Sequence, residues 1–262
     1  MIKLDYFDLI SDEPITVENV GSIICPKLSD IKKLNYYTYC SYIQIFKITP
    51  DDYFEELANK FNIKIPIEEF AGMTKFDLLM TDTSLLQSVV DAFNFFFTDE
   101  VYFDGDQLHF VVYTTNENGE ENVVGYISRD NYSDIVNIIL QRINIEIDDN
   151  EVDDLSKIKS KRGRKILEKI REGRKKMKKA KEKSSNGKQQ SLANIISSVA
   201  AYSKNTNYIQ IWDLTIYQLY DLFSRLNIID QYNIASRSVS VWGDEKKQFK
   251  YGVWNDNIHE RN

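Results

Sequence analysis

The side chains that most often perform catalysis are scarce in this sequence. The chain has two histidines, His109 and His259, and two cysteines, Cys25 and Cys40. One histidine lies in an apolar stretch and the other near the C-terminus, so a Ser/His or Cys/His relay would have few parts to draw on. The cysteines are too far apart for a redox or zinc motif. We therefore expect His109 to be structural and both cysteines to be buried free thiols.

Motifs that bind phosphate or activate a serine do not occur in the sequence either. It contains no Walker-type run, no G-x-G-x-x-G fingerprint and no G-x-S-x-G elbow. We predict that the protein is not an enzyme and that it has no catalytic, cofactor-binding or metal-binding residues. A carboxylate-based active site of an unfamiliar kind is the alternative, and the sequence names no residues for it.

Carboxylates cluster at two places in the chain. Asp104-Gly105-Asp106 could bind a cation, but Asp-Gly between two strand-like stretches is more typical of a hairpin turn. The stretch "DDNEVDD", residues 148–154, lacks the twelve-residue spacing, the central Gly and the terminal Glu of a calcium loop. We interpret the first cluster as a turn and the second as an acidic linker.

The net charge of −7 conceals a strong segregation of charge along the chain. Residues 157–183 contain fifteen Lys or Arg and three Glu, which leaves eighteen basic and thirty-seven acidic residues elsewhere. This basic segment could neutralise phosphates and bind nucleic acid in a salt-dependent way. However, it has no aromatic residue to stack on bases, and Gly163 and Gly173 interrupt it. We favour docking of the basic segment on an acidic protein surface, its own or a partner's.

Nothing in the sequence favours a membrane protein. No apolar run approaches the ~18 to 20 residues of a spanning helix. The N-terminal stretch "MIKLDYFDLISDEP" has acidic residues where a signal peptide would have a basic and then an apolar stretch. We therefore expect a protein inside a cell, with no membrane partner.

The hydrophobic periodicity predicts an α+β fold that is predominantly helical. The period is helical over residues 26–46, where we predict one helix. Thr49 followed by Pro50 predicts the start of a second helix, and a capping box at Ser84 predicts the start of a third. Over about residues 100–127 the period changes to two, with turn signals between short apolar stretches. This change predicts a small antiparallel β meander.

These patterns divide the chain into three predicted parts. Residues 1–150 form a helical domain that contains the meander, and residues 151–190 form an acidic and then basic helical linker. Residues 191–262 form a small helical C-terminal domain, predicted as a helical hairpin. Its tail, residues 238–254, could add a β-hairpin.

The strongest helical pattern is "IWDLTIYQLYDLFSRL", residues 211–226. Thr215 and Gln218 fit a capping box, which predicts that a helix begins near Ile216. Apolar residues then recur at helical spacing along one face. The pattern therefore predicts an amphipathic helix that packs on a core or a partner, with Trp212 as an anchor where the chain enters the helix.

The order of several stretches along the chain is itself informative. They are "PKLSDIKKL…YYTY", "TPDDYFEEL", "FDLLM…FFF" before short strands, a Lys/Arg-rich helix, and "LANIISSVAAY…IWDLTIYQLYDLFSRL". Together they resemble the tail assembly chaperones and tail-associated assembly proteins of bacteriophages that infect Gram-positive hosts. The resemblance covers most of residues 23–230, and its most specific element is "WDLTIYQLYDLF".

The resemblance implies a non-enzymatic virion-assembly protein that holds or coats an aggregation-prone tail component until it polymerises. Its partner would be a phage tail protein or a second copy, in the host cytoplasm or in association with the virion. The alternatives are a nucleic-acid-binding protein that uses residues 157–183 and a structural baseplate or neck subunit. The residues that we predict to contact a partner are Trp212, Tyr217 and Tyr220 on the closing helix, and Lys175, Lys176, Lys178 and Lys179 on the basic segment.

Overall fold

The fold is taken from a computed structural model of the 262-residue chain. The structure describes residues 2–66, 70, 72–116, 119–145, 191–244 and 247–256. The predicted linker, residues 151–190, lies outside these residues. The same holds for the four lysines that we predict to contact a partner.

The described residues form mainly helices, together with two small antiparallel sheets. The helices are α1 (Tyr6–Ile10), α2 (Leu28–Leu34), α3 (Tyr36–Lys47), α4 (Pro50–Phe61), α5 (Lys75–Leu79), α6 (Thr83–Phe96), α7 (Tyr132–Arg142), α8 (Leu192–Tyr202) and α9 (Ile216–Trp242). The strands are β1 (Ile15–Val17), β2 (Gly21–Ile23), β3 (Glu100–Asp104), β4 (His109–Thr115) and β5 (Glu121–Ile127). The predicted α+β class with mainly helical content is confirmed. Among the described helices, none is long and apolar enough to cross a membrane.

The predicted starts of two helices are confirmed. The Thr49 hydroxyl accepts the Asp52 N–H at 3.2 Å, and α4 begins at the next residue. In the second case the Thr215 hydroxyl accepts the Gln218 N–H at 3.2 Å, while the Gln218 side-chain oxygen accepts the Thr215 N–H at 3.0 Å. This reciprocal pair satisfies two backbone donors, so α9 begins at Ile216.

The predicted β meander is also confirmed. Strand β4 lies between β3 and β5 and pairs with both in antiparallel register. The Asp104 carboxylate accepts the N–H groups of Asp106, at 2.9 Å, and Gln107, at 3.3 Å. An aspartate that bonds to backbone two and three residues ahead is typical of a turn. The interpretation of Asp104-Gly105-Asp106 as a turn is therefore confirmed.

The prediction of one helix over residues 26–46 is wrong, because α2 and α3 are separate helices that meet at Asn35. Asn35 has a φ of 87°, and asparagine tolerates positive φ better than most residues. Its side-chain oxygen accepts the Tyr37 N–H at 2.8 Å and so caps α3. Both helices bury apolar side chains in the same core, which explains why the apolar period continues across the break.

The predicted capping residue of α6 is wrong. Asp82 caps the helix instead of Ser84, because its carboxylate accepts the N–H groups of Ser84, at 2.8 Å, and Leu85, at 3.3 Å. A carboxylate also interacts favourably with the positive end of the helix dipole. A hydrogen bond from the Tyr53 hydroxyl, at 2.8 Å, and these two backbone hydrogen bonds lower the pKa of Asp82.

The β-hairpin suggested for residues 238–254 is wrong as well. Helix α9 continues to Trp242 and ends at Gly243, whose φ is 78°. The described residues beyond it include a 3₁₀ turn at Val253–Asn255 and no strand. The alternation in "SVSVW" is typical of a strand. However, it lies within a helix that begins and is capped far upstream.

Aromatic rings form the centre of the core. The ring of Phe93 on α6 has its centroid 5.5 Å from that of Phe46, 5.1 Å from that of Phe110 and 6.0 Å from that of Tyr132. The last two pairs are edge-to-face, a preferred geometry for aromatic rings. These contacts join α3, α6, the meander and α7, so the meander has one face in the core.

Helices α8 and α9 pack into this same core. The Leu28 N–H donates to the Leu214 carbonyl at 2.9 Å, and the Ile216 N–H donates to the Pro26 carbonyl at 3.0 Å. Leu219, one turn further, is fully buried in the same cluster of side chains. The start of α9 is therefore fixed against the chain that leads into α2. The division into domains stays a prediction.

Candidate protein-interaction surfaces

The two tyrosines predicted to contact a partner lie about one turn apart on α9 and differ in burial. Tyr217 is buried near Cys25, and burial raises the pKa of its hydroxyl to about 12. Tyr220 is half-buried near Cys40, and burial raises its pKa also. Tyr217 therefore belongs to the interior of this chain, while part of Tyr220 reaches the surface. Their partner-binding role stays a prediction.

Trp212 lies in a 3₁₀ turn just before α9 and is half-buried. The Lys32 ammonium of α2 lies over its indole ring, 5.0 Å from the centroid. This cation–π contact helps to hold α2 against the start of α9. The anchoring position expected for Trp212 thus has a partner within the chain itself.

Three of the residues with catalytic potential, Cys25, Cys40 and His109, lie in the part of the chain that the structure describes. The Cys25 thiol is buried and donates to the Arg142 carbonyl at 2.9 Å, and burial raises its pKa. Cys40 is also a free thiol but only half-buried. His109 lies at the start of β4 with its ring 4.8 Å from that of Tyr126. Within the described residues, no group of His, Cys, Asp and Glu side chains could hold a metal ion.

The most clearly defined aromatic surface is the side of the meander that faces away from the core. We call it the outer sheet face and define it by Tyr102, His109, Val111, Tyr113 and Tyr126. The register places Val111 between Tyr102 and Tyr126 on neighbouring strands. Val111 is 3% exposed although it lies on this side, whereas the two tyrosines are 43% and 48% exposed. The two tyrosines therefore flank and shield the buried valine while much of their own surface stays exposed.

The rings of the outer sheet face contact one another. The ring centroids of Tyr102 and Tyr113 are 5.4 Å apart. The Tyr113 hydroxyl donates to the Glu100 carboxylate at 2.6 Å, which raises the pKa of Tyr113 to about 12. Asp104 pairs directly with His109 across β3 and β4. The face is thus an ordered set of tyrosines with acidic side chains along the β3 side.

Both edges of the meander are already engaged at one backbone position. On β3, the Val101 N–H and carbonyl both bond to the side-chain amide of Asn94, each at 2.8 Å. On β5, the Tyr126 N–H donates to the Asn19 carbonyl at 3.0 Å. Gly125 permits this approach, since a Cβ there would come within 2.1 Å of the Asn19 oxygen. Addition of a partner strand would have to displace these contacts, so the face is the more accessible surface.

A second surface lies at the end of α9. Positions at heptad spacing along this helix are Ile216, Tyr220, Phe223, Asn227, Asp230, Ile234, Arg237 and Val241. The first of these is buried and the next two are half-buried in the core cluster. By contrast, Ile234 is 62% exposed and Val241 is 70% exposed. We call Asp230, Ile234, Arg237 and Val241 the distal stripe.

The opposite side of α9 is covered by the C-terminal tail, residues 247–256. The Arg225 guanidinium donates to the carbonyls of Trp254 and Asp256, each at 3.1 Å. The Tyr232 ring lies 5.5 Å from that of Phe249. At 3.6 residues per turn, Arg225 and Tyr232 lie about half a turn away from the distal stripe. The described residues of the tail therefore lie away from the distal stripe.

The structure also shows one buried residue that the sequence did not single out. Arg142 at the end of α7 is fully buried and donates to the carbonyls of Asp8, Ser11, at 2.9 Å, and Glu13, at 2.6 Å. Burial lowers its pKa. The guanidinium thereby fastens residues 2–13, which we call the N-terminal strap. A single basic residue in an otherwise apolar helix face was the signal available in the sequence.

The N-terminal strap also contacts the start of α9. The Gln218 side chain donates to the Ile10 carbonyl at 2.8 Å. On α7, the Gln141 side chain accepts the Leu4 N–H at 3.0 Å and donates to the Ile2 carbonyl at 2.8 Å. The strap thus joins α7 to α9 largely through hydrogen bonds between side chains and backbone.

A comparison with protein-family models gives a match in the C-terminal part of the chain. Residues 179–259 match the family model of the YomV second domain. This range is about a third of the chain and includes α8, α9 and the tail. Searches of curated proteins and of solved structures gave no significant match. The family match suggests that this is a phage-related protein.

Proposed function

We propose that this chain is a non-enzymatic phage virion-assembly protein that acts by binding another protein. Within that class, a tail assembly chaperone or a tail-associated protein is the specific role we propose. The observation that carries the proposal is the outer sheet face, where Tyr102 and Tyr126 cover Val111 and stay about half exposed. The YomV match and the resemblance to tail-assembly proteins support the assignment to phage assembly.

The composition of the outer sheet face is that of a protein-binding surface. Tyrosine is enriched at protein interfaces because its ring contributes apolar area and its hydroxyl keeps a hydrogen-bonding group. The rings are held in place by one another and by the Tyr113–Glu100 hydrogen bond. A pre-ordered surface loses little side-chain entropy on binding. The Glu100 and Asp104 carboxylates favour a partner with basic side chains at this edge.

The same carboxylates disfavour nucleic acid at this face. Single-stranded nucleic acid binds where aromatic rings are combined with a positively charged groove. Glu100 and Asp104 lie on β3 beside the tyrosines, and Glu121 lies at the start of β5. A phosphate backbone would be repelled there. Nucleic-acid binding, if it occurs, would therefore use the basic segment, residues 157–183.

The proposal can be tested by affinity capture from phage-infected or co-expressing cells, with bound protein and nucleic acid identified together. Three variants of the full-length chain would be compared with the unmodified chain at low and moderate salt. The first is Tyr102→Ser with Tyr126→Ser, and the second is a matched control, Tyr37→Ser with Tyr208→Ser, at exposed tyrosines outside the meander. The third lacks residues 157–183. Thermal unfolding would establish that each variant remains folded.

We expect a tail protein to be captured without nucleic acid, and the first variant to lose most of it while the control keeps it. Equal capture by the first variant and the control would overturn the role of the outer sheet face. Capture of nucleic acid alone, lost with salt or with removal of the basic segment, would overturn the assembly role. It would favour the nucleic-acid-binding alternative instead.

A further inference from the structure

We propose that two copies of this chain pair through the distal stripe, with their α9 helices antiparallel. This inference does not rest on the proposed function, because it concerns the purified chain alone. It uses a different surface from the outer sheet face. In this proposal, the partner that covers the distal stripe is the same helix of a second copy.

The spacing of the distal stripe is that of a helix-pairing seam. Asp230, Ile234, Arg237 and Val241 alternate steps of four and three residues. This is the a/d spacing of coiled coils, in which a narrow stripe packs against a second helix. The two aliphatic residues supply buried area, and the two charged residues at seam positions specify register and orientation.

The end of α9 gains most from such a partner. A free helix of about a dozen residues is only marginally stable in water, because its hydrogen bonds alone do not offset the cost of ordering the backbone. The seam at the start of the helix packs on the core, and the Tyr202 hydroxyl of α8 reaches Asp230 at 2.8 Å. The tail covers the opposite side. Within the described part of the chain, Ile234 and Val241 of the distal stripe stay exposed.

The charges of the distal stripe are self-complementary in the antiparallel arrangement. Residues 227–242 contain one acidic residue, Asp230, and one basic residue, Arg237. In this arrangement a two-fold axis passes between Ile234 and Arg237. Asp230 of one copy then lies one layer of side chains away from Arg237 of the other copy. The same contact then occurs twice, as a two-fold interface requires. Asp230 has two carboxylate oxygens, so it can bond to Tyr202 and to the second copy together.

The antiparallel arrangement also limits the charge repulsion between the two chains outside the paired segment. Each chain carries a net charge of −7. Since a helix rises 1.5 Å per residue, Gln231 to Trp242 extend about 18 Å beyond the Tyr202–Asp230 contact. The folded parts of the two chains that hold Tyr202 and Asp230 lie at opposite ends of the paired segment. The separation exceeds the Debye length of about 8 Å at physiological salt, so their repulsion is largely screened.

The test is sedimentation equilibrium of the full-length chain over a range of concentrations. The variant Ile234→Asp places a charge in the seam, and Ile209→Asp is its matched control at another exposed isoleucine outside α9. We expect the unmodified chain and the control to form dimers. We expect Ile234→Asp to raise the dimer dissociation constant at least about tenfold, because the seam would have to desolvate an unpaired carboxylate. Circular dichroism of each variant would check that the helix content is kept.

A charge exchange tests the orientation. Arg237→Asp and Asp230→Arg would each place like charges at both contacts, so each alone should dimerise at least about tenfold more weakly. An equimolar mixture of the two variants restores opposite charges at both contacts and should recover the dimer. A non-specific apolar association would show no such recovery.

Three outcomes would overturn the proposal. They are an unmodified chain that stays monomeric at every concentration, an Ile234→Asp variant that dimerises like Ile209→Asp, and a mixture that associates no better than its components. The first outcome would leave the distal stripe for a different protein. None of them bears on the capture experiment with the outer sheet face, so the two proposals can fail separately.

Discussion

The first and the last turns of α9 carry the same heptad spacing in opposite surroundings. Ile216 of the heptad series and Leu219 beside it lie in the core. The Ile216 N–H bonds to the chain before α2, and Gln218 bonds to the N-terminal strap. Ile234 and Val241 carry equally apolar side chains, yet they face solvent. The spacing alone determines that a stripe exists on the helix. The partner of that stripe is determined by which elements pack beside each turn.

The difference shows how one helix can contribute both to folding and to recognition. Its buried turns contribute to the free energy of unfolding of the single chain. Its exposed turns contribute little to that free energy and are available for association. Substitutions in the two halves should therefore change different measured quantities.

The largest effect is expected for Leu219→Ala at the buried start of α9. Removing a fully buried leucine side chain should lower the free energy of unfolding by about 2–5 kcal/mol, because it removes buried apolar area and leaves a cavity. Urea unfolding followed by circular dichroism would measure it. Ile234→Ala is the matched comparison and should change stability by less than about 0.5 kcal/mol at low protein concentration. Similar losses for both variants would contradict the contrast between the two halves.

Arg142→Met should have the next largest effect, because it releases the strap that covers the start of α9. Three backbone carbonyls would lose their buried donor, which should cost about 1–3 kcal/mol of stability. Hydrogen exchange should accelerate in residues 2–13 and in the first turn of α9. The control is Arg129→Met, which removes an exposed pair with Asp77 worth about 0–1 kcal/mol. Unchanged exchange in the strap would contradict the fastening role of Arg142.

Thr215→Ala removes the capping hydroxyl of α9 and should cost about 0.5–2 kcal/mol. The loss arises because the Gln218 N–H would have no acceptor at a buried helix start. Thermal unfolding would measure the difference. Ser240→Ala, at the exposed end of the same helix, should leave the melting temperature nearly unchanged. A larger effect at Ser240 would mean that the end of the helix is more strongly fixed than its contacts indicate.

The smallest effect at neutral pH is expected for the ionisation of Tyr217. Its pKa is raised to about 12 in the folded chain, so the folded state keeps its proton where the unfolded state, with a pKa near 10, has lost it. Its contribution to stability is therefore complete below about pH 10 and is lost as pH rises from about 10 to 12. Tyr217→Phe should weaken the decline of stability over that range. An identical pH profile for both chains would contradict the burial of this hydroxyl.

Local features were predictable from the sequence. The capping box at Thr215 and Gln218, the Thr49 cap and the Asp104-Gly105 turn each depend on side chains within three residues of the backbone groups that they bond. The alternation of the meander likewise predicted its strands. Where two local choices competed, as between Asp82 and Ser84 at α6, the sequence indicated a start of the helix but not which residue caps it.

Contacts between distant parts of the chain were not predictable in the same way. Arg142 bonds to carbonyls more than 125 residues earlier, and Asn94 covers a strand edge because α6 packs beside β3. Arg142 stood out only as a basic residue in an apolar helix face, and neither sequence neighbourhood names the distant backbone groups that these residues bond. The exposure of Tyr102 and Tyr126 is of the same kind, since it depends on which side of the meander meets α6 and α7.

The amino-acid sequence was sufficient for the helical stripes, the caps at Thr49 and Thr215, the Asp104-Gly105 turn and the separation of basic and acidic charge, because these follow from residues close together in the chain. Only the tertiary structure decided which tyrosines are buried, which face of the meander is free and where the stripe of α9 leaves the core. These properties depend on the burial of one surface against another. That burial is set by the packing of elements far apart in sequence, and no local pattern contains it.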